Sequence, residues 1–100
     1  MKVTTDSCIF GAWVVERLNQ HPPTENLLDI GAGTGLLTLM ITQAHAAIPI
    51  TAVEIDKHAS EQARENIART PWRSRIQILN DDIKTFSAAG PFEVIVSNPP

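Results

Sequence analysis

The stretch Asn26-Leu27-Leu28-Asp29-Ile30 runs straight into three alternating glycines, Gly31, Gly33 and Gly35. Nothing else in the chain restricts its fold so strongly. Glycines at this spacing let the backbone turn sharply, and they let another group approach without a Cβ in the way. Leu36, Leu37, Met40, Ile41 and Ala44 follow at helical spacing. A strand, a glycine turn and a helix in direct succession open a βαβ unit, and the N-terminus of such a helix offers unpaired N–H groups.

The rest of the chain repeats the alternation. Thr4, Thr5 and Asp6 are good helix caps, and an amphipathic helix follows from Cys8 to Leu18, ending near His21-Pro22-Pro23. Residues 50–54 read as a second buried strand, and Asp56 as the cap of a third helix. On that helix Ala59, Ala63 and Ile67 share one face, and Pro71 ends it. Residues 75–79 and 92–96 read as the third and fourth strands, with a single helical turn between them at residues 81–86. The expected fold is α/β and Rossmann-like: a parallel sheet ordered 3-2-1-4, with the N-terminal helix and the third helix covering its faces. Val94-Ile95-Val96 is apolar on both faces, as a central strand of a covered sheet would be. Residues 1–100 are therefore expected to be the N-terminal part of a larger domain, cut after the fourth strand.

Composition narrows the function classes. The formal net charge of -3 supplies no overall attraction for nucleic acid, so such a partner needs a local patch. Arg64, Arg69, Arg73 and Arg75, around Trp72, are the one cluster that could track an RNA backbone, or they form a solvated helix face and loop. Cys8 is the single cysteine, which rules out an intrachain disulfide and is compatible with a reducing cytoplasm. His21, His45 and His58 lack metal-ligand spacing, so no metal is expected. No apolar run approaches the ~20 residues that span a bilayer, and no membrane association is expected.

Four positions carry the chemistry. Leu36 stands where a dinucleotide fingerprint has its third glycine, and no Lys-Ser/Thr follows the turn, which excludes a Walker loop. Asp29, just before the turn, suits an ammonium group and would repel phosphate. The loop is thus matched to a nucleoside carrying an amino-acid tail. Glu54 ends the second strand nineteen residues after Gly35, where an acidic residue accepts from ribose hydroxyls. Asp82 follows the third strand and could accept from an adenine amino group while Ile83 packs on the ring; Asp81 is the competing choice, and the pair could instead cap the turn. Asn98-Pro99-Pro100 follows the fourth strand, at the edge where ligands bind in open parallel sheets. A conjugated amino group is a poor nucleophile because its lone pair is delocalised. Two acceptors aimed at its hydrogens, the Asn98 side-chain oxygen and the Pro99 carbonyl, free that lone pair. Pro99 also holds Asn98 extended. Together these motifs point to S-adenosylmethionine and transfer of its methyl group to nitrogen.

The chain resembles the front of the class I S-adenosylmethionine-dependent methyltransferase domain. More narrowly, it is similar to the bacterial tRNA methyltransferases that act on N6 of adenine beside the anticodon of a valine tRNA. The likeness rests on Met1-Lys2-Val3-Thr4-Thr5-Asp6 with Gly11-Ala12-Trp13, on Leu28 to Leu37, on Glu65-Asn66-Ile67 with Pro71-Trp72, and on Ser97-Asn98-Pro99-Pro100. It implies a cytoplasmic enzyme with tRNA as substrate. It also implies that Thr5, Asp6, Asp29, Gly31, Gly33 and Gly35 lie at the methionine end of the cofactor, with Glu54 at the ribose and Asp82 at the adenine. Asn98, Pro99 and Pro100 would form the catalytic loop. Family members place an aromatic residue after that tripeptide and further strands beyond the fourth, so this stretch alone is expected to be inactive. The competing readings are a release-factor glutamine N-methyltransferase, since an amide nitrogen poses the same lone-pair problem, and a cofactor-binding fragment without catalysis. A nicotinamide oxidoreductase is disfavoured by Leu36.

Overall fold

The computed structural model describes residues 5–86 and 91–97, with side chains from residue 9 onward. Its order is α1 (Thr5–Gln20), β1 (Leu27–Ile30), α2 (Leu36–Ala44), β2 (Ile50–Glu54), α3 (Lys57–Ala68), β3 (Ile76–Asn80) and β4 (Val94–Ser97). The four strands are parallel and ordered β3-β2-β1-β4, as expected from the alternation. The order reverses between β1 and β4, which creates the switch point where such sheets bind ligands.

Register decides which residues share a face. Leu27 pairs with Ile50 and Val94, and Ile50 pairs with Ile76. With alternation along each strand, one face carries Leu27, Asp29, Ile50, Ala52, Glu54, Ile76, Ile78, Val94 and Val96. Val14 and Leu18 of α1 pack with Leu37 and Ile41 of α2 against Leu27 and Ile50. Ala63 and Ile67 of α3 pack against Ala52 and Ile78. All three helices therefore lie on this same face. The expectation that α1 and α3 divide the two faces is corrected by that register.

Local interactions set the element ends. The Asp56 side chain accepts from the backbone N–H groups of His58 and Ala59, capping α3. Gly11 of α1 faces α2, where a Cβ would displace only the flexible end of the Met40 side chain. At the entrance to the sheet, the Glu93 side chain accepts from the N–H groups of Thr24 and Glu25 at 2.9 and 2.8 Å, and the Asn26 side chain accepts from the Glu93 N–H at 2.8 Å. These bonds fasten β4 beside β1. Among the described residues no helix is long and apolar enough to cross a membrane.

Candidate functional site

The carboxyl ends of β1, β2 and β3 bring the predicted residues together. Gly31, Gly33 and Gly35 all have positive φ, at 72°, 60° and 94°. At Gly35 the φ of 94° is what favours glycine, and a Cβ there would meet the Ala63 Cβ of α3 at an ordinary contact distance of 3.5 Å. At Gly31 nothing lies within 4 Å of a Cβ position. The loop therefore packs on α3 at Gly35 and is open at Gly31. The Asn66 side-chain amide donates to the Thr34 carbonyl at 2.9 Å and ties the loop to α3.

Glu54 is buried at the end of β2 and holds the loop from below. Its Oε1 accepts from the Gly33 N–H at 2.6 Å, and its Oε2 from the Asp56 N–H at 2.9 Å. Strand position alone assigns Glu54 to ribose hydroxyls. In the structure it is first a brace between the glycine loop and the start of α3. A carboxylate offers about four lone-pair sites, so two remain for a ligand after these bonds.

Asp29 is more deeply buried, at 1% exposure. Its Oδ2 accepts from the Thr38 hydroxyl at 2.7 Å, and the Thr42 hydroxyl donates to the Thr38 carbonyl at 2.8 Å. Oδ1 is buried without a hydrogen-bond partner among the described residues. Burial pushes the Asp29 carboxyl up from 3.8 to about 6; the Thr38 hydroxyl pulls it down, and nearby Glu54 pushes it up. An acceptor of this kind, desolvated and short of donors, fits an ammonium group reached directly or through a buried water.

Asp82 lies just after β3, as the sequence predicts. Its Oδ1 accepts from the Lys84 N–H at 3.0 Å, and its carbonyl accepts from the N–H groups of Thr85 and Phe86 at 3.0 and 2.8 Å. It thus caps the single helical turn expected there. Asp81 accepts from the Asp82 N–H at 2.8 Å. The capping role is therefore present, alongside any contact with a ligand.

Ile55 and Asn80 have no part in the sequence-based site, whereas Ile83 is expected there beside Asp82. Ile55 is 67% exposed beside Glu54, and Ile83 is 38% exposed beside Asp82, so two large apolar side chains flank the ends of β2 and β3. An apolar residue directly after the strand's terminal acid is the signal for Ile55. Asn80 is the other addition. Its side-chain amide donates to the carbonyl oxygens of Glu54 and Ile55, both at 3.0 Å, and holds the end of β2 in shape. The side chains of Thr5 and Asp6, and all of Asn98, Pro99 and Pro100, lie outside the described residues. Ser97, which precedes the tripeptide, pairs with Ile30, which precedes the glycine loop. Among the described residues no group of three or more His, Cys, Asp or Glu side chains could hold a metal ion.

Residues 10–100 match the family of the methyltransferase small domain. The chain belongs to that family. Along its whole length it is 48% identical to the tRNA1(Val) (adenine(37)-N6)-methyltransferase of Pseudoalteromonas translucida, of which it spans 40%. Among solved structures, a putative S-adenosyl-L-methionine-dependent methyltransferase of Methanococcus maripaludis superposes with a TM-score of 0.78 at 28% identity, over 91% of this chain and 42% of that one. The glycopeptide N-methyltransferase MtfA complexed with sinefungin superposes with a TM-score of 0.76 at 21% identity, over 87% and 35%. The Rossmann-like methyltransferase fold is thereby shown, and this methyltransferase-family chain covers about two-fifths of the curated relatives it matches.

Proposed function

We propose that the chain forms the cofactor-binding front of an S-adenosylmethionine-dependent enzyme that methylates N6 of adenine in tRNA. The observation that carries this reading is the Glu54 brace on the glycine loop, with Asp29 buried just before the loop and Ile55 and Ile83 exposed just after Glu54 and Asp82. The set matches a nucleoside with an amino-acid tail, one group at a time. Asp29 attracts the ammonium, and the open surface at Gly31 admits the tail. The remaining lone pairs of Glu54 take ribose hydroxyls. Ile55 and Ile83 offer apolar surface to the two faces of the adenine, while Asp82 accepts from its amino group. Thr5 and Asp6 are assigned to the methionine end by family resemblance.

The cofactor, when bound, supplies an electrophilic methyl group on a sulfonium. The protein's task is then to place a nitrogen lone pair in line with it. Asn98 and the Pro99 carbonyl are assigned to that task, with Pro100 in the same catalytic loop by family resemblance. Two acceptors on the amino hydrogens draw the nitrogen out of conjugation, and no strong base is required. Adenine in tRNA is favoured over a glutamine amide by the names and identity of the full-length relatives. A cytoplasmic location is in keeping with a tRNA substrate.

Calorimetry and a methyl-transfer assay on the full-length protein test this. S-adenosylhomocysteine should bind and NAD should not. Labelled methyl should pass to unmodified tRNA and not to a release factor. Label on the release factor alone would transfer the assignment to the glutamine enzymes. NAD binding without any response to the sulfonium cofactor would end it.

A further inference from the structure

An open groove of about 410 Å³ lies on the outer side of α3 and β3, lined by Arg64, Ile67, Ala68, Arg73, Ile76, Gln77 and Ile78. It is separate from the cofactor site, which sits at the carboxyl ends of β1 and β2. Its floor is apolar, since Ile67 and Ile78 are buried and Ile76 half-buried. Its rim is cationic. Arg64 and Arg73 stand on it, Arg64 beside Glu65 on α3, and residues 66–80 add Arg69 and Arg75 with no acidic side chain, within a chain whose net charge is -3. Two of the guanidinium groups are held in place by backbone. Arg64 donates to the Ile78 carbonyl at 3.2 Å, and Arg73 donates to the Thr70 carbonyl at 3.3 Å. Each guanidinium has five N–H donors in a rigid fork, so a single carbonyl leaves most of them for an incoming anion.

We infer that this α3–β3 groove docks the sugar–phosphate backbone of the tRNA substrate, with Arg64 and Arg73 on phosphates and the isoleucine floor beneath a ribose or a splayed base. The inference rests on the proposed tRNA reading and extends it to a surface. Charge selects the occupant. Restrained guanidinium groups around an apolar floor suit phosphates joined by flat, partly apolar units. β3 is the edge of the described sheet, three strands from β4, or roughly 14 Å at the usual spacing between strands. A tRNA can cover that interval while its adenine enters the site beside Ser97. The groove would contribute affinity and orientation without touching the reacting atoms.

The experiment measures tRNA binding to the full-length protein against salt concentration, for wild type and for Arg64→Ala/Arg73→Ala. Each phosphate neutralised by one of these arginines should contribute about 0.7–0.9 to the slope of log K on log salt. The double variant should therefore bind about tenfold more weakly near 0.1 M salt, with a slope smaller by about 1.5. Its KM for tRNA should rise while kcat and the affinity for S-adenosylhomocysteine stay within about twofold of wild type, which also certifies the fold. Arg64→Lys/Arg73→Lys should recover most of the slope, because it keeps the charge. Unchanged slope and KM in a folded double variant would overturn the groove while leaving the tRNA reading intact. Increased self-association with unchanged tRNA binding would also overturn it, showing that the arginines only guard an edge strand. A wild-type protein that neither binds nor methylates tRNA would remove the reading on which the inference stands.

Discussion

The hydroxyl of Thr38 donates to Oδ2 of Asp29 at 2.7 Å, and both side chains are almost wholly excluded from solvent. Thr38 lies near the start of α2, nine residues beyond Asp29, so the glycine loop folds back to bring the two together. Thr38→Val keeps the shape and removes the donor. It leaves a buried carboxylate with fewer partners, and a hydrogen bond to a charged group is worth about 1.5–3 kcal/mol. Denaturant melts of the full-length protein should show a loss in that range at neutral pH, and Thr38→Ser should recover most of it. Equal stability of Thr38→Val and wild type would show that the bond contributes nothing net.

The same carboxylate makes stability depend on pH. Its folded value of about 6 lies above the ordinary 3.8, so the folded state holds the proton more tightly. The stabilising contribution is thus complete below about pH 4 and is lost as pH rises through 6. The shift from 3.8 to about 6 corresponds to about 3 kcal/mol between those limits. Asp29→Asn should flatten this part of the profile. Cofactor affinity should run the other way, falling below pH 6 as Asp29 takes up a proton and stops attracting an ammonium. Calorimetric titrations between pH 5 and 8 check both, and an Asp29→Asn protein with a wild-type binding profile would detach Asp29 from the site.

Glu54 should show two effects where a ribose ligand alone would show one. Glu54→Ala removes the acceptor of the Gly33 and Asp56 N–H groups. We expect a lower melting temperature without cofactor, and cofactor binding weaker by about 1.5–3 kcal/mol. Glu54→Gln keeps one acceptor oxygen and should fall between the two. A stability unchanged by Glu54→Ala would mean that the loop does not depend on its brace.

Gly31→Ala separates strain from access. The φ of 72° costs an alanine on the order of 1–2 kcal/mol, while no atom stands within 4 Å of its Cβ. The methyl group points into the open side of the loop. Stability should therefore fall by that modest amount, and cofactor affinity should fall by more than strain explains. Thermal melts alongside S-adenosylhomocysteine titrations separate the two quantities.

Much of this fold is legible from local pattern. The limits of β2 and the Asp56 cap appear where periodicity and cap chemistry put them. The strand order follows from the βαβ alternation. The limits of β1, β3 and β4 differ by one or two residues, at side chains that bond across the fold, and α1 begins at Thr5, three residues before Cys8. Asn26 and Glu93, 67 residues apart, bond each other and so stay outside β1 and β4. Asn80 reaches back to the Glu54 and Ile55 carbonyls and extends β3. Periodicity reports a helix's apolar face but not the side of the sheet it will meet. A signal for α2 and α3 is nonetheless present: β1 to β2 to β3 steps in one direction, so right-handed crossovers place both helices on one face. The Glu54–Gly33 bond has no sequence signature, because a backbone N–H partner leaves no residue type to read.

Asn98 carries the sharpest prediction about chemistry. Its position in the chain places it just after Ser97, whose partner Ile30 precedes the glycine loop, whereas Glu54 belongs to β2 on the other side of β1. A residue on the β4 side can address the substrate amine without holding the cofactor. Asn98→Ala in the full-length protein should therefore slow methyl transfer by on the order of 10²-fold, by analogy with removing one preorganised polar group from an active site. Affinity for S-adenosylhomocysteine should stay nearly constant. Asn98→Asp should retain part of the rate, since a carboxylate still accepts from the amine. Single-turnover transfer of labelled methyl to unmodified tRNA measures the chemical step apart from binding and release. A fully active Asn98→Ala protein would reduce Asn-Pro-Pro to a strand terminator, with nitrogen activation then resting on groups beyond this chain.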